Sequence, residues 1–179
     1  MEKKMMYTLV AIVVIIVVAV AVAGAYVLMN SGGGGGGADT YTVANATSLQ
    51  YNADVTYQGV SPTLFNVAAK NVGATDMVLR IDILGGESGN YTYIMDHGTQ
   101  TAWLSNNGTW TNVSSDFTNQ WNTWMGTGKP RTTDLDALAT NWSGTGDYTY
   151  TNSATGTTMR IYNVAINPTL ADSLFQPNT

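Results

Sequence analysis

The chain has 179 residues, a formal net charge of −5 and no cysteine. The lack of cysteine excludes a disulfide framework, a thiolate metal site, a cysteine nucleophile and a lipid-modified cysteine. With 7 basic and 12 acidic residues the chain has no electrostatic footprint for nucleic acid, so we expect no nucleic-acid partner. Thr, Asn, Ser, Gly and Tyr are abundant while charges are few, which is typical of secreted or surface β-proteins.

An apolar run without a single charge occupies residues 6–29. At about 1.5 Å per residue, a helix of this length crosses a hydrocarbon core of roughly 30 Å, and only a helix satisfies its own backbone in lipid. Lys3 and Lys4 precede the run and the next basic residue is Lys70, so the positive-inside rule places residues 1–5 in the cytoplasm. We therefore expect a signal anchor, a single-pass transmembrane helix in the cell membrane with an extracytoplasmic C-terminal domain.

Two alternatives for this segment stay open. A cleaved secretory signal has an apolar region of only about 7–15 residues before a small-x-small site. The run here is longer, although Ala23-Gly24-Ala25 offers such a site. A pilin-type signal instead keeps its apolar helix, which then forms the core of a filament. Such signals usually have a small residue after the basic pair, whereas two methionines follow Lys4.

Residues 30–39 form a glycine-rich linker, with glycine at every position from 32 to 37. Polyglycine has no side chains to pack and loses much backbone entropy when it is ordered, so it predicts a flexible tether. A random coil of this length reaches about 15–20 Å. We therefore expect the domain of residues 40–179, which is long enough for one proper core, to stay near the membrane surface.

Period-two alternation of apolar and polar residues predicts a series of short strands. In residues 77–84, for example, Leu79 and Ile81 alternate with Arg80 and Asp82 and so belong to opposite faces. Gly/Asn turns separate the strands, which predicts an antiparallel meander. The six predicted strands are residues 49–57, 64–72, 77–84, 91–95, 101–104 and 109–113.

The pattern then changes to helical spacing. Residues 116–125 carry Phe117, Trp121, Trp124 and Met125 on one helical face. A second short helix is predicted from a Thr133 cap onward, with an apolar face formed by Leu135, Leu138 and Trp142. Strands return at residues 147–151 and 157–166, and the tail of residues 167–175 is expected to form a helical turn or an extended cap. The predicted fold class is α+β, in which the N-terminal transmembrane helix precedes an antiparallel sheet with two short helices.

Three stretches carry a family resemblance. They are residues 77–83 (Met-Val-Leu-Arg-Ile-Asp-Ile), the pair Tyr93-Ile-Met-Asp96-His-Gly98 and Thr101-Ala-Trp103-Leu, and the ending Val164-Ala-Ile-Asn167-Pro-x-Leu170-x-Asp-Ser-Leu174-Phe175. With the meander around them, they make residues 45–176 similar to the LolA-like proteins. These are periplasmic carriers of lipoproteins, together with related lipid-binding lipoproteins of mycobacteria.

The resemblance implies a strongly curved, incomplete antiparallel barrel, a half-barrel whose mouth is closed by lid helices around an apolar cavity. In that picture residues 117–125 and 135–142 form the lid, and Trp103 corresponds to the aromatic residue on the strand after the hairpin. This chain departs from the family in its tether, in the lack of an acceptor-site cysteine and in the missing proline before the Arg80 strand. We therefore do not expect this chain to transport lipoproteins between two membranes. We do expect it to hold a lipid beside one membrane.

The candidate ligand-binding residues are large apolar side chains and one arginine. Tryptophan buries much area and keeps an N–H for a partner, so it suits a pocket lining as well as an ordinary core. Arg80 either meets a lipid headgroup or an acidic partner inside the cavity, or lies on the outer face beside Asp82 or Asp54. The full set is Arg80, Trp103, Trp121, Trp124, Met125, Leu138 and Trp142.

No constellation of residues indicates catalysis. The chain contains no GxSxG, HExxH, P-loop or GxGxxG motif. His97 is the single histidine, whereas a metal site needs three or more convergent ligands, so the pair Asp96-His97 is better explained as part of a hairpin turn. We expect no enzyme activity, no cofactor and no metal.

Asn-x-Ser/Thr sequons are the remaining site motif, and all lie after the apolar run, where glycans can be added. They are Asn45, Asn90, Asn107, Asn112 and Asn141. Sequons on a cysteine-free, single-anchored chain are typical of an archaeal cell-surface protein.

The sequence thus predicts a membrane-anchored, non-enzymatic binding protein for a lipid, lipoprotein or other apolar ligand. Its expected partners are the bilayer, through residues 6–29, and the ligand, with another membrane or surface protein as a further candidate. The alternative is a structural surface protein, a pilin-like or S-layer-associated β-domain without a ligand. The interior separates the two, because a carrier needs a cavity and a structural module packs its core densely.

Overall fold

The computed structural model describes residues 46–56, 61–86, 89–125, 146–153 and 156–178. The predicted transmembrane helix of residues 6–29, the linker of residues 30–39 and the predicted second helix with Leu138 and Trp142 lie outside these ranges. Within them, no helix has both the length and the apolar character needed to cross a membrane.

Each strand and the helix that the sequence predicts in these ranges are present, with bounds shifted by a few residues. The strands are β1 (Ser48–Thr56), β2 (Thr63–Lys70), β3 (Val78–Gly86), β4 (Gly89–Asp96), β5 (Thr101–Asn106), β6 (Thr109–Asn112), β7 (Tyr148–Asn152) and β8 (Thr157–Ile166). Helix α1 (Phe117–Met125) follows a 3₁₀ turn at Ser114–Asp116, and a second 3₁₀ turn, Asp172–Phe175, follows β8.

The eight strands form one open antiparallel sheet in the order β6-β5-β4-β3-β2-β1-β8-β7. The first six follow each other as the predicted meander, and the final hairpin adds to the free edge of β1 through β8. Asn107 and Gly108 both have positive φ, as the tight two-residue turn between β5 and β6 requires. The predicted α+β class is confirmed at this level, as a mostly antiparallel sheet with one short helix.

Strand register divides the side chains into two faces, because successive residues in a strand point to opposite sides. The front face contains Leu79 and Ile81 of β3, both 0% exposed, and their paired neighbours. The back face contains Arg80 and Asp82 of the same strand. The hydrophobic core is the front face together with α1; its front-face members include Leu49, Tyr51, Ala53, Val55, Phe65, Val67, Ala69, Met95, Met159 and Ile161.

A bulge in β8 keeps this separation intact at the end of the strand. The register between β1 and β8 shifts between Gln50 and Asn52, opposite Asn163, whose φ is +53°. One extra residue in a strand reverses the face to which each later residue points. Val164 and Ile166 therefore pack against the front-face core, whereas uninterrupted alternation from Ile161 would have sent both to the back face.

The C-terminal segment returns along the back face and is fastened at two places. Asn167 receives hydrogen bonds on its Oδ1 from the backbone N–H of Thr47 (2.7 Å) and of Ser48 (3.3 Å). Further on, the 3₁₀ turn meets two back-face cations. Lys70 forms an ion pair with Asp172, and Arg80 Nη1 donates to the Leu174 carbonyl at 2.8 Å.

We expect Asn167→Ala to lower the free energy of unfolding by about 2–4 kcal/mol, since it removes these bonds and forces alanine to keep a left-handed backbone at φ +54°. Asn167→Gly is the matched control, because it loses the same bonds but tolerates the positive φ, and should cost about 1–2 kcal/mol. Denaturant unfolding of the full chain in detergent, followed by tryptophan fluorescence, measures both. Equal losses in the two variants would rule out a backbone contribution.

Candidate functional site

Helix α1 lies on the front face and contributes its apolar residues to the core. Trp124 is 0% exposed, and its ring packs on that of Tyr93 with the centroids 5.0 Å apart. Phe117 and Met125 are also buried, while Trp121 is half-buried. Residues at i, i+4, i+7 and i+8 share one side of a helix, so the predicted spacing does place these four side chains on the sheet. Of the candidate ligand-binding residues, the structure therefore brings Trp121, Trp124 and Met125 together.

His97 holds one end of this helix in an aromatic cluster. Its ring lies 4.8 Å from the ring of Trp121 and 6.0 Å from that of Phe117, and these two rings stack at 5.7 Å. Its Nδ1 lies 2.8 Å from the carbonyl oxygen of Thr75; because a carbonyl only accepts, the hydrogen sits on Nδ1. His97 thus links the hairpin between β4 and β5 to α1. No sequence pattern indicates this role of His97, apart from its place beside a turn.

Two polar atoms in the core are buried without a hydrogen-bond partner among the described residues: the Tyr51 hydroxyl and the indole N–H of Trp124. Tyr51 is 3% exposed and opens a row of paired front-face residues that continues through Val67 and Ile81 to Tyr93, on which Trp124 rests. Burial raises the pKa of the Tyr51 phenol far above its usual value. The side chain is therefore a neutral hydrogen-bonding group and not a phenolate.

The other two candidates lie on the opposite side of the sheet. Arg80 binds Asp82 through Nη2 (3.0 Å) and Nε (3.1 Å), and Asp82 also accepts from the Thr92 hydroxyl at 2.7 Å. Of the two alternatives for Arg80 that the sequence allows, the structure shows the one on the outer face beside Asp82. Trp103 pairs with Ile94, which pairs with Arg80, so all three share the back face. Leu138 and Trp142 fall outside the described residues.

The edge formed by β7, β8 and β1 carries a second polar group on the back face. Arg160 forms an ion pair with Asp147 at 2.6 Å, and the Tyr162 hydroxyl donates to Asp54 at 3.0 Å. Burial, followed by the bond to Asp54, raises the pKa of Tyr162, and the hydrogen bond to Asp147 raises that of Arg160. Exposed ion pairs of this kind stabilise little. They link side chains of β8 to β1 and to the residue that precedes β7.

The described sequons differ in how their amides are used. Asn90 and Asn112 accept backbone N–H groups on Oδ1, from Gly85 (3.2 Å) and Ser114 (2.9 Å), and Oδ1 is not the atom that carries a glycan. Asn107 accepts the Asn90 N–H on Oδ1 (3.0 Å) but also donates from Nδ2 to Asn106, and its amide lies 2.8 Å from where a Cβ of Gly89 would be. The geometry favours glycans on Asn90 and Asn112 over Asn107. Asn45 and Asn141 fall outside the described residues.

We expect His97→Ala to lower the free energy of unfolding by about 2 kcal/mol and to speed hydrogen exchange in α1, because it removes both the ring contacts and the bond to Thr75. His97→Phe is the control: it keeps a ring against Trp121 but loses the hydrogen bond, so about half of the effect should remain. Hydrogen exchange of the full chain in detergent measures the protection of α1. Unchanged protection in His97→Ala would mean that the helix is held without this residue.

Metal binding has no support in the described part of the chain, where no three His, Asp or Glu side chains converge. The chain matches no known protein family and none of the curated proteins with which it was compared. The resemblance to LolA-like proteins therefore stays a prediction from the sequence.

Proposed function

We propose that the protein is a membrane-anchored, extracytoplasmic binding protein that holds a lipid or other apolar ligand between the front face of its sheet and α1. The observation that carries this proposal is the contrast between the two faces. The front face consists of apolar and aromatic side chains under a short helix, while the ion pairs of Lys70, Arg80 and Arg160 lie on the back face. An apolar ligand is compatible with the first surface and not with the second.

The composition of the front-face core also favours a ligand. It contains four methionines, Met77, Met95, Met125 and Met159, all 9% exposed or less. Methionine is unbranched and polarisable, so a core rich in it repacks around guests of different shape. Each CH₂ group of a chain buried there contributes about 0.8 kcal/mol. This gain is relative to water, so such a site compensates an acyl chain for leaving the apolar interior of a bilayer.

In this proposal α1 is one lid of a LolA-like half-barrel, and the predicted helix with Leu138 and Trp142 is the second. Trp121, Trp124 and Met125 form the ligand-facing side of the first lid, while Arg80 and Trp103 have no part in the site because they lie on the back face. The segment of residues 6–29 anchors the protein with its N-terminus in the cytoplasm. The short linker then keeps the domain within reach of lipids of the outer leaflet.

Trp121→Ala tests the proposal, since this side chain is half-buried and can be removed with less damage than Trp124. In native mass spectrometry of the full chain released from detergent micelles, we expect the wild type to carry a mass in the lipid range. The variant should retain at most about a fifth of that occupancy, which corresponds to a loss of roughly 1 kcal/mol.

Trp110→Ala is the matched control, because Trp110 is also half-buried but pairs with Ser105 on the back face. It should keep the bound mass, and circular dichroism should show that both variants are folded. A wild type that carries no lipid and takes none up from added lipid would contradict the proposal. Filaments on the native cell surface, seen by electron microscopy, would then identify the structural alternative.

A further inference from the structure

The two unpaired polar atoms of the core have no hydrogen-bond partner among the described residues. A buried donor without an acceptor is destabilising, and native proteins keep few of them. Here the Tyr51 hydroxyl and the Trp124 N–H are both enclosed in one core cluster. Phenylalanine would fill the Tyr51 position without this penalty. The polar atoms therefore require an explanation other than packing.

We infer that the bound lipid carries uncharged oxygens into the core, one of which accepts the Trp124 N–H while another bonds to the Tyr51 hydroxyl. This inference rests on the proposed function, and it names the chemical class of the ligand. Indole N–H only donates, so the partner atom has to be an acceptor, while the phenol tolerates a donor or an acceptor. Carbonyl, ether and hydroxyl oxygens meet both conditions.

Among the described residues, no side chain of the front-face core carries a charge that would pair with a charged headgroup at this place. The buried polar side chains of the described residues are Thr63, Ser105 and Thr157, none of which is charged. Phosphate or carboxylate moved into such a core would lose its hydration without gaining a cation, and this costs far more than two hydrogen bonds return. The described basic side chains that form ion pairs lie on the back face; they are Lys70, Arg80 and Arg160. An ester, ether or alcohol remains.

The row of front-face residues shows how such a lipid would lie. Tyr51 and Tyr93 end a row that crosses four adjacent strands, a distance of about 14 Å along a flat sheet at 4.8 Å per strand. Val67 and Ile81 fill the row between them, so the surface between the two polar ends is aliphatic. Val67 and Ile81 are 3% and 0% exposed, so the lipid displaces the side chains that cover them and lays its alkyl segment along this row, with an oxygen near each end.

Matched probes test the inference on the delipidated full chain in detergent. We choose methyl 9,10-dibromostearate, which has a neutral ester, 9,10-dibromooctadecane, which has no oxygen, and 9,10-dibromostearate, which is charged. Bromine quenches tryptophan fluorescence, so each titration reports binding close to α1. The wild type should bind the ester more tightly than the hydrocarbon or the carboxylate.

Tyr51→Phe removes one hydroxyl and nothing else. It should weaken ester binding about three- to tenfold, the range expected for one lost hydrogen bond, and change hydrocarbon binding less than about twofold. It should also raise the Tm of the ligand-free protein, because the unpaired hydroxyl is gone. Tyr162→Phe is the control on the back face: it loses the bond to Asp54, so its Tm should fall while its preference for the ester stays.

The outcomes separate this inference from the function on which it rests. If the wild type binds the probes but Tyr51→Phe lowers the Tm and leaves the preference for the ester unchanged, the hydroxyl serves a structural water and the inference is wrong while the proposed function stands. Tighter binding of the carboxylate than of the ester would also overturn it. If no probe quenches the wild type, both fail.

Discussion

The sorting of side chains between the two faces of the sheet is the constraint on which the rest of this structure depends. A shift of one residue in any strand pair would exchange its apolar and polar faces. Because Leu79 and Ile81 point to one face and Arg80 and Asp82 to the other, the register of β3 against both neighbours is fixed by burial as well as by backbone bonds. The bulge at Asn163 is the place where this sorting would fail, and the extra residue repairs it.

Each face then has its own chemistry. On the back face, ion pairs and the docked C-terminal segment fasten the sheet from outside. On the front face, methionines and aromatic rings make a soft apolar interior, in which two polar atoms remain unpaired. A core that only has to be stable usually excludes unpaired donors and favours side chains with fixed rotamers. In the proposed binding site, the methionines would adapt to the ligand and the two polar atoms would bond to it.

The strands were predictable because they are half-buried, and alternation is strongest in such strands. The turn at Asn107-Gly108 was predictable because few residue pairs tolerate two positive φ angles. Three features were not predictable, for separate reasons. The bulge depends on one left-handed asparagine that the composition does not single out. The back-face place of Trp103 depends on its register with Ile94, while the sequence shows only a large apolar residue in a strand. The contact of His97 with Trp121 joins a hairpin to a helix that comes 20 residues later, and periodicity carries no information about it.

The site itself was therefore predictable only where local spacing decides it. The positions of Trp121, Trp124 and Met125 follow from helical geometry, whereas Tyr51 becomes visible only when the sheet aligns β1 with β4. This difference bears on how the site would work. Helix α1 has nine residues, too few to be stable alone, so its position depends on the rings of Tyr93 and His97. A short helix held by a few aromatic contacts opens at a smaller free energy than the sheet unfolds. In the proposed site, the sheet would thus keep Tyr51 in place, and the helix that carries Trp124 would be the part that admits the ligand.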